Sequence, residues 1–295
     1  MRIRIRVAAG VAVLAVFVTA VAACGGNAGE TAKPAEETPA RIVSLSPTAT
    51  EMLFAIGAGD QVVAVDDQSN FPEEAPKTDL SAFKPNVEAI ASYKPDLVVV
   101  SDAGGELADS LAKVKITTFS APAATSLDDA YHQLRELGDI TGHRAEAAKV
   151  VASMKQRLAA VAAAVPAGAK GATYYHELDP NYFSATSKTF IGSVYALLGL
   201  KNIADPADTA GGGYPQLSAE FIVHADPDVI FLADSKCCQQ SAATVAARDG
   251  WAGIAAVRNG AVVALDDDIA SRWGPRTVEF AEAVATSLTT ARKAA

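Results

Sequence analysis

A chain of 295 residues has room for one or two cores, and its composition, 50% apolar and 6% aromatic, is ordinary for a soluble α/β protein rich in alanine. The formal net charge is -9; Arg2, Arg4 and Arg6 fall in the first six residues, leaving 22 basic against 34 acidic side chains, or -12, over the rest. With no Lys/Arg cluster in that remainder, general nucleic-acid binding is excluded, while a small ligand is not, because a local patch can oppose the global sign.

The chain opens with MRIRIR and then 17 uncharged, mostly apolar residues ending in Val21, Ala22 and Ala23 before Cys24. A basic segment followed by a short apolar run marks an export signal, here residues 1–23. The alternative is a retained transmembrane anchor, for which the run is slightly short. Both place the body outside the cytoplasmic membrane. Residues 24–40 are small, polar and contain Pro34 and Pro39; they read as a flexible tether.

From residue 41 the pattern is strand, helix, strand, helix. RIVSL is a short apolar strand, and Pro47 and Thr48 open a helix carrying Met52, Leu53 and Ile56, closed by Gly57 or Gly59. QVVAVDD is a second strand, followed by an irregular, Pro-rich run to Asn86. NVEAIASYKPDLVVVSD gives a helix, a Lys94–Pro95–Asp96 turn and a buried strand. GGELADSLAKVKITTFSAP supplies another helix and strand, and SLDDAYHQLRELGDITG a closing helix. Continuous apolar strands alternating with helices predict a parallel sheet covered on both faces. Ligands of such sheets sit at the carboxyl ends of the strands, which points to Ser46, Asp66–Phe71 and Asp102–Gly105. No GxGxxG follows a strand and no GxSxG surrounds a serine, so neither a dinucleotide cofactor nor a nucleophile elbow is expected.

RAEAAKVVASMKQRLAAVAAAV, near residues 143–165, has no Gly or Pro and is built from strong helix formers. Val150, Met154, Leu158 and Val161 recur at helical spacing, and such a helix spans roughly 30 Å. It either joins two lobes, 41–142 and 166–295, or is a crossover helix within one domain. The second half then has GATYYHELDPNYFSA, a strand running into an aromatic turn; TFIGSVYALLGLKNI, a helix ended by Gly199; and a Gly-rich loop. SAEFIVHADPDVIFLAD follows, and it echoes residues 86–102: a Glu near a helix start, a polar-Pro-Asp turn, and an apolar strand ending in Asp. That internal repeat favours two equivalent lobes. WAGIAAVRNGAVVALDDDIASRWGPRTVEFAEAVATSL adds the last helix, strand, loop and helix. The fold expected is α/β, two Rossmann-like lobes joined by one long rigid helix, with a ligand cleft between them.

The four histidines have no partner at metal-motif spacing. His176, at a strand end after Tyr174 and Tyr175, could ligate the metal of a bound molecule. Asp266, Asp267 and Asp268 have the look of a cation site but read as a solvated loop positioning the next helix. Tyr182 and Phe183, in a turn-like context, favour a pocket wall over core filling. Cys237 and Cys238 are adjacent in an exported chain, which favours oxidation; a vicinal disulfide, two thiols or metal capture are the options.

The stretches RIVSLSPTATEMLFAIGAGDQVVAV, NVEAIASYKPDLVV, YPQLSAEFIVHADPDVI and ASRWGPR resemble the substrate-binding lipoproteins of bacterial ABC importers, in the class with a single helix between the lobes. These deliver corrinoids, iron-siderophores or haem, and the likeness is strongest to the corrinoid (vitamin B12) binders. The resemblance implies a lipid on Cys24, holding the protein to the outer face of the cytoplasmic membrane. It also implies a monomeric binder with no catalytic residues, resident metal or cofactor, whose partner is an ABC permease dimer with its ATPase. Phe83, Phe183, Tyr214 and Arg272 match ligand-side positions of those binders; Gln68 replaces an aromatic residue, Trp273 adds one, and Tyr182 lies beside Phe183. Iron-siderophore is the second expectation and haem the third, through His176, Tyr182 or Tyr214. Glu88 and Glu220, equivalent in the two halves, match the family's permease-docking glutamates. A lipid-tethered enzyme would need a convergent nucleophile and base, which the sequence does not show, and an adhesive lipoprotein would show an exposed apolar patch or repeats rather than two matched lobes.

Overall fold

The computed structural model describes residues 38–101 and 105–291. The export signal, Cys24, the tether up to residue 37, and Asp102, Ala103 and Gly104 lie outside the described residues.

The first half builds a four-stranded sheet from β1 (Ile42–Leu45), β2 (Val62–Val65), β3 (Leu97–Val100) and β4 (Thr117–Ser120), in the order β2-β1-β3-β4. Its helices are α1 (Pro47–Ala55), α2 (Val87–Ser92), α3 (Gly105–Lys113) and α4 (Leu127–Thr141). After α5 (Arg144–Ala164) come β5 (Thr173–Glu177), α6 (Phe190–Leu197), β6 (Lys201–Asn202), α7 (Ala219–Ala225), β7 (Val229–Leu232), α8 (Ser235–Cys238), α9 (Ala242–Ala246), α10 (Ala255–Arg258), β8 (Val262–Ala264), α11 (Asp267–Ser271) and α12 (Thr277–Ala291). The second sheet runs β6-β5-β7-β8. Every named strand pair is parallel, and both sheets follow one order in which the first strand of each half sits between the second and the third. The echo between residues 86–102 and 218–234 is thus the α2–β3 and α7–β7 units of two like lobes.

Local chemistry places the helix starts. Ser46, Asn86, Ser126, Thr189, Ser218 and Ser241 each cap a helix through a side-chain oxygen that accepts a backbone N–H. Central strands β1, β3 and β7 are buried throughout, so they read as unbroken apolar runs, whereas the edge strands β4 and β8 are half open.

α5 packs against α4 of the first lobe and α12 of the second. Its buried stripe is Ala147, Val151, Met154 and Leu158, one position removed at its start from the stripe predicted; Val150 and Val161 are only half buried. Small residues at the α4 crossing explain the offset, because the helices touch there. A Cβ at Gly138 would stand 2.5 Å from Ala147 Cβ, and Gly142 turns the chain at φ 80° between the two helices. Arg157 on α5 is 2.9 Å from Glu282 on α12. One buried apolar cluster runs from Ile42, Met52 and Val99 through Leu134, Val151 and Met154 to Tyr174, Phe231 and Phe280, so a single core joins the lobes. A second, smaller cluster, around Val43, Ile90 and Val98, fills the other face of the first sheet.

Candidate functional site

Loops at the carboxyl ends of the two sheets meet where Arg272 of the second lobe reaches the 66–71 loop of the first. On the first-lobe side the base is a buried hydroxyl network. Thr50 Oγ1 donates to Ser44 Oγ (2.9 Å) and lies 2.8 Å from Ser69 Oγ, which donates to Asp66 at 2.5 Å. Burial pushes the Asp66 carboxyl up, and the Ser69 bond only partly offsets it. This network fixes the 66–71 loop. Ser46 itself is buried as the cap of α1 and does not face a ligand.

Three bonds tie that loop to the other lobe, and a fourth ties α1 to it. Arg272 Nη1 donates to Glu51 Oε1 and to Asn70 Oδ1, both at 2.9 Å; Nη2 donates to the Gln68 carbonyl at 3.0 Å and to Asp268 Oδ1 at 2.9 Å. Asn70 Nδ2 in turn donates to Asp268 Oδ2 at 3.1 Å. Glu51, buried on α1, also accepts from Arg276, whose guanidinium lies 4.2 Å over the Phe71 ring. Burial opposes ionisation of Asp268, but Asn70, Arg272 and Lys236 outweigh it and hold the carboxyl below its ordinary value. Arg272 is therefore a fully engaged cross-lobe strap. The next residue, Trp273, donates from Nε1 to Gln133 Oε1 on α4 at 2.8 Å and packs against the core.

The second-lobe wall is a short ribbon. Residues 182–186 pair antiparallel with 213–217: Leu217 N donates to the Tyr182 carbonyl, Ser184 N to the Pro215 carbonyl and Thr186 N to the Gly213 carbonyl. This brings Tyr182, Phe183 and Tyr214 onto one ribbon. Tyr182 has φ 67° and stacks on Trp251 at 5.6 Å, so it supports the wall from within, while Phe183 and Tyr214 face outward. Burial holds the Tyr214 phenol above its ordinary value, and a Thr189 bond works the other way. On the opposite lobe Phe83 is 84% exposed and Phe71 is 43% exposed. Gln68 is exposed, with its amide on Asp67. Phe83 touches none of the other predicted residues through any ring or hydrogen-bond contact in the described residues.

One expectation needs correction, and two others are met or refined. His176 is fully buried, with Nδ1 2.8 Å from Tyr195 Oη, and burial lowers its pKa to about 3; it stays neutral in the core and cannot reach a cleft ligand. The Asp266–Asp268 run does position the next helix, as expected, and it has further partners. Asp266 caps α11, Asp267 accepts the N–H groups of Ser235, Lys236 and Cys237 at the start of α8, and Asp268 belongs to the strap. Of the options for Cys237 and Cys238, the structure has the vicinal disulfide, in that four-residue helix, with Cα atoms 3.8 Å apart. Among the described residues no group of three His, Cys, Asp or Glu is arranged to hold a metal ion.

Glu88 and Glu220 occupy the same place in the two halves, exposed in the first turn of α2 and α7. Bonds from its own backbone N–H and from Ser218 hold the Glu220 carboxyl below its ordinary value. Sequence reading missed Glu51 and Arg276, and it did not foresee that Asp268 pairs with Arg272. The available signal was Glu51, an acid in an otherwise apolar helix, which must find a cation when buried.

Residues 42–269 match the family model described as periplasmic binding protein. The chain is 34% identical over 262 residues to the cobalamin-binding protein of Halobacterium salinarum, covering 86% of this chain and 70% of that one. It is 32% identical over 259 residues to an uncharacterized ABC transporter substrate-binding lipoprotein, YvrC, of Bacillus subtilis, covering 85% and 80% respectively. Among solved structures, the periplasmic vitamin B12 binding protein BtuF of Vibrio cholerae aligns with a TM-score of 0.70 and 28% identity, over 86% of this chain and 98% of the other.

Proposed function

Because the chain belongs to the periplasmic binding protein family, we propose that it is the extracytoplasmic capture protein of an ABC importer and that its ligand is a corrinoid. The observation that carries this reading is the set of exposed aromatic rings, Phe71 and Phe83 on one lobe and Phe183 and Tyr214 on the other. Single exposed apolar residues are common on proteins, but rings from two lobes converging on one cleft suit a large, partly flat ligand. The likeness to cobalamin-binding relatives supports the same class.

The competing metal chelates fit less well. A ferric siderophore bearing negative charge calls for free cleft cations, whereas Arg272 and Arg276 already neutralise Glu51 and Asp268. Haem calls for an axial side chain, and with His176 buried and Tyr182 stacked, that leaves Tyr214, whose phenol burial keeps neutral. The export signal and Cys24 support a lipid-held protein at the outer face of the membrane, delivering ligand as a monomer to a two-subunit permease through Glu88 and Glu220.

Calorimetric titration of the chain lacking residues 1–24 with hydroxocobalamin, cobinamide, a ferric hydroxamate siderophore and haemin tests the ligand. Micromolar or tighter binding of the two corrinoids is expected. Silence with both, together with tight binding of either iron chelate, refutes the corrinoid reading.

A further inference from the structure

Beneath the aromatic ribbon lies a charge cluster that binding of an apolar ring does not by itself require. Glu177, at the carboxyl end of β5, is buried and takes both ends of Arg248, at 2.6 Å to Nη1 and 2.5 Å to Nη2. The Arg248 guanidinium lies 4.5 Å over the Trp251 ring and 5.3 Å over that of Tyr182, and Gln240 accepts from it at 2.7 Å. Arg248 thus holds the Trp251–Tyr182 stack from one side while Glu177 holds Arg248 from the other. Asp234, at the end of the neighbouring strand β7, lies against Glu177 and is wholly buried, and neither of its carboxylate oxygens finds a donor among the described residues. The Tyr175 hydroxyl beside them is also buried and unpartnered.

We propose that the Glu177–Arg248–Asp234 cluster positions the Tyr182–Phe183 turn for its ligand, and that ligand capture takes up a proton on Asp234. This rests on the reading of that turn as a ligand wall.

The charged and titratable groups facing Asp234 are Glu177 and Tyr175 from β5 and Arg248 from beyond α9. Lys236 on α8 is turned away, 2.6 Å from Asp266 and 3.2 Å from Asp268. With Asp234 ionised, two buried carboxylates share one guanidinium, and Arg248 is drawn between two acceptors. With Asp234 protonated, its O–H donates to Glu177, the cluster is neutral, and Arg248 keeps its fork on Glu177 under the stack. Burial, then the nearby Glu177, push the Asp234 carboxyl up to about 7, so both forms are populated near neutrality. A large ligand over the turn removes water above the cluster and further penalises the uncompensated charge. Binding therefore favours the protonated form, and affinity rises as pH falls.

Two measurements test this. In Trp273→Phe protein, Trp251 is the sole fluorophore of its kind, and without ligand its emission should titrate with a midpoint near neutrality; Asp234→Asn should remove that midpoint. Calorimetry with hydroxocobalamin in buffers of different ionisation heat should show proton uptake at pH 7.5. Affinity should be up to about tenfold higher at pH 6 than at pH 8. In Asp234→Asn it should stay at the acid value throughout, with a cooperative melt showing that the variant is folded. Arg248→Lys, which keeps the charge but loses the fork, should weaken binding at every pH. Failure of hydroxocobalamin to bind removes the corrinoid reading alone. A missing Trp251 midpoint, or one that survives in Asp234→Asn, overturns the inference whichever ligand binds.

Discussion

Arg272 of the second lobe lies 2.9 Å from Glu51 of the first, a pair 221 positions apart and almost closed off from water. Glu51 also accepts from Arg276, so two guanidinium groups share one buried carboxylate. Glu51→Gln leaves both cations short of a partner. The expected loss is about 3 kcal/mol, which for a chain of this size lowers Tm by roughly 6–12 °C. Thermal melts check it, and a shift within about 2 °C of wild type would show that the strap contributes little to stability.

Phe83 and Tyr182 should separate binding from folding. Phe83 is 84% exposed, so Phe83→Ala should leave Tm within about 1 °C while weakening corrinoid binding by about tenfold. Tyr182 is stacked on Trp251 and faces Arg248, so Tyr182→Ala should lower stability by about 2–3 kcal/mol as well as weaken binding. Equal effects of the two changes on Tm would contradict this division.

Two buried groups pull stability in opposite directions with pH. His176 has a folded pKa of about 3, below its unfolded value, so the unfolded state gains the proton first and stability falls as pH drops below about 6.5. Asp234 has a folded pKa of about 7, above its unfolded value, so its contribution is complete below about 3.8 and is lost as pH rises through 7. Between about pH 4 and 6.5 the two slopes oppose each other. Asp234→Asn should therefore expose a rise in stability from pH 4.5 to 6.5 that wild type shows only weakly. Urea denaturation across that range measures it, and parallel pH profiles in the two proteins would refute the assignment.

The Cys237–Cys238 bond closes the smallest loop a chain can form, so it removes little freedom from the unfolded state. Unreduced protein should yield no alkylated thiol on Cys237 or Cys238, and reduction should add two. Because Asp267 holds the start of α8 independently of the sulfurs, the double Ser variant should melt within about 2 °C of wild type. A larger fall would mean that the bond, rather than Asp267, secures this helix.

Glu88→Lys with Glu220→Lys should leave ligand affinity and Tm nearly unchanged, since both side chains are exposed first-turn residues away from the ribbon and the strap. The pair should fix orientation on a two-fold permease. Uptake in cells lacking the wild-type protein should fall with each single change and further with both. Normal uptake by the double variant would reduce the two glutamates to helix-end residues.

What the sequence made legible follows range. Strands, caps and the matched halves depend on neighbours within a few turns, and runs such as LVVV and VIFL or the caps Ser126 and Ser218 announce them. The strap does not announce itself, because Arg272 and Glu51 meet only after two sheets have formed between them. Trp251 carries no mark that it underlies Tyr182. His176 follows two tyrosines at a strand end, and only the alternation of β5 decides that its ring enters the core with Tyr195 and Phe280. Three successive aspartates look alike on paper, yet one caps α11, one caps α8, and one crosses to Asn70.

The position of α12 bears on how the chain is made. Its residues Val278, Phe280, Ala281 and Val284 belong to the same buried cluster as Val151 and Met154 of α5. The helix that links the lobes therefore keeps part of its apolar surface open until the last 20 or so residues of the described chain arrive. A protein that emerges N-terminus first can form its first sheet early, but α5 waits for the end of the chain, and contacts spanning such long sequence separations form slowly. Until then this exposed flank is the stretch most in need of protection, and loss of α12 would leave an assembled first lobe attached to an unfinished second one.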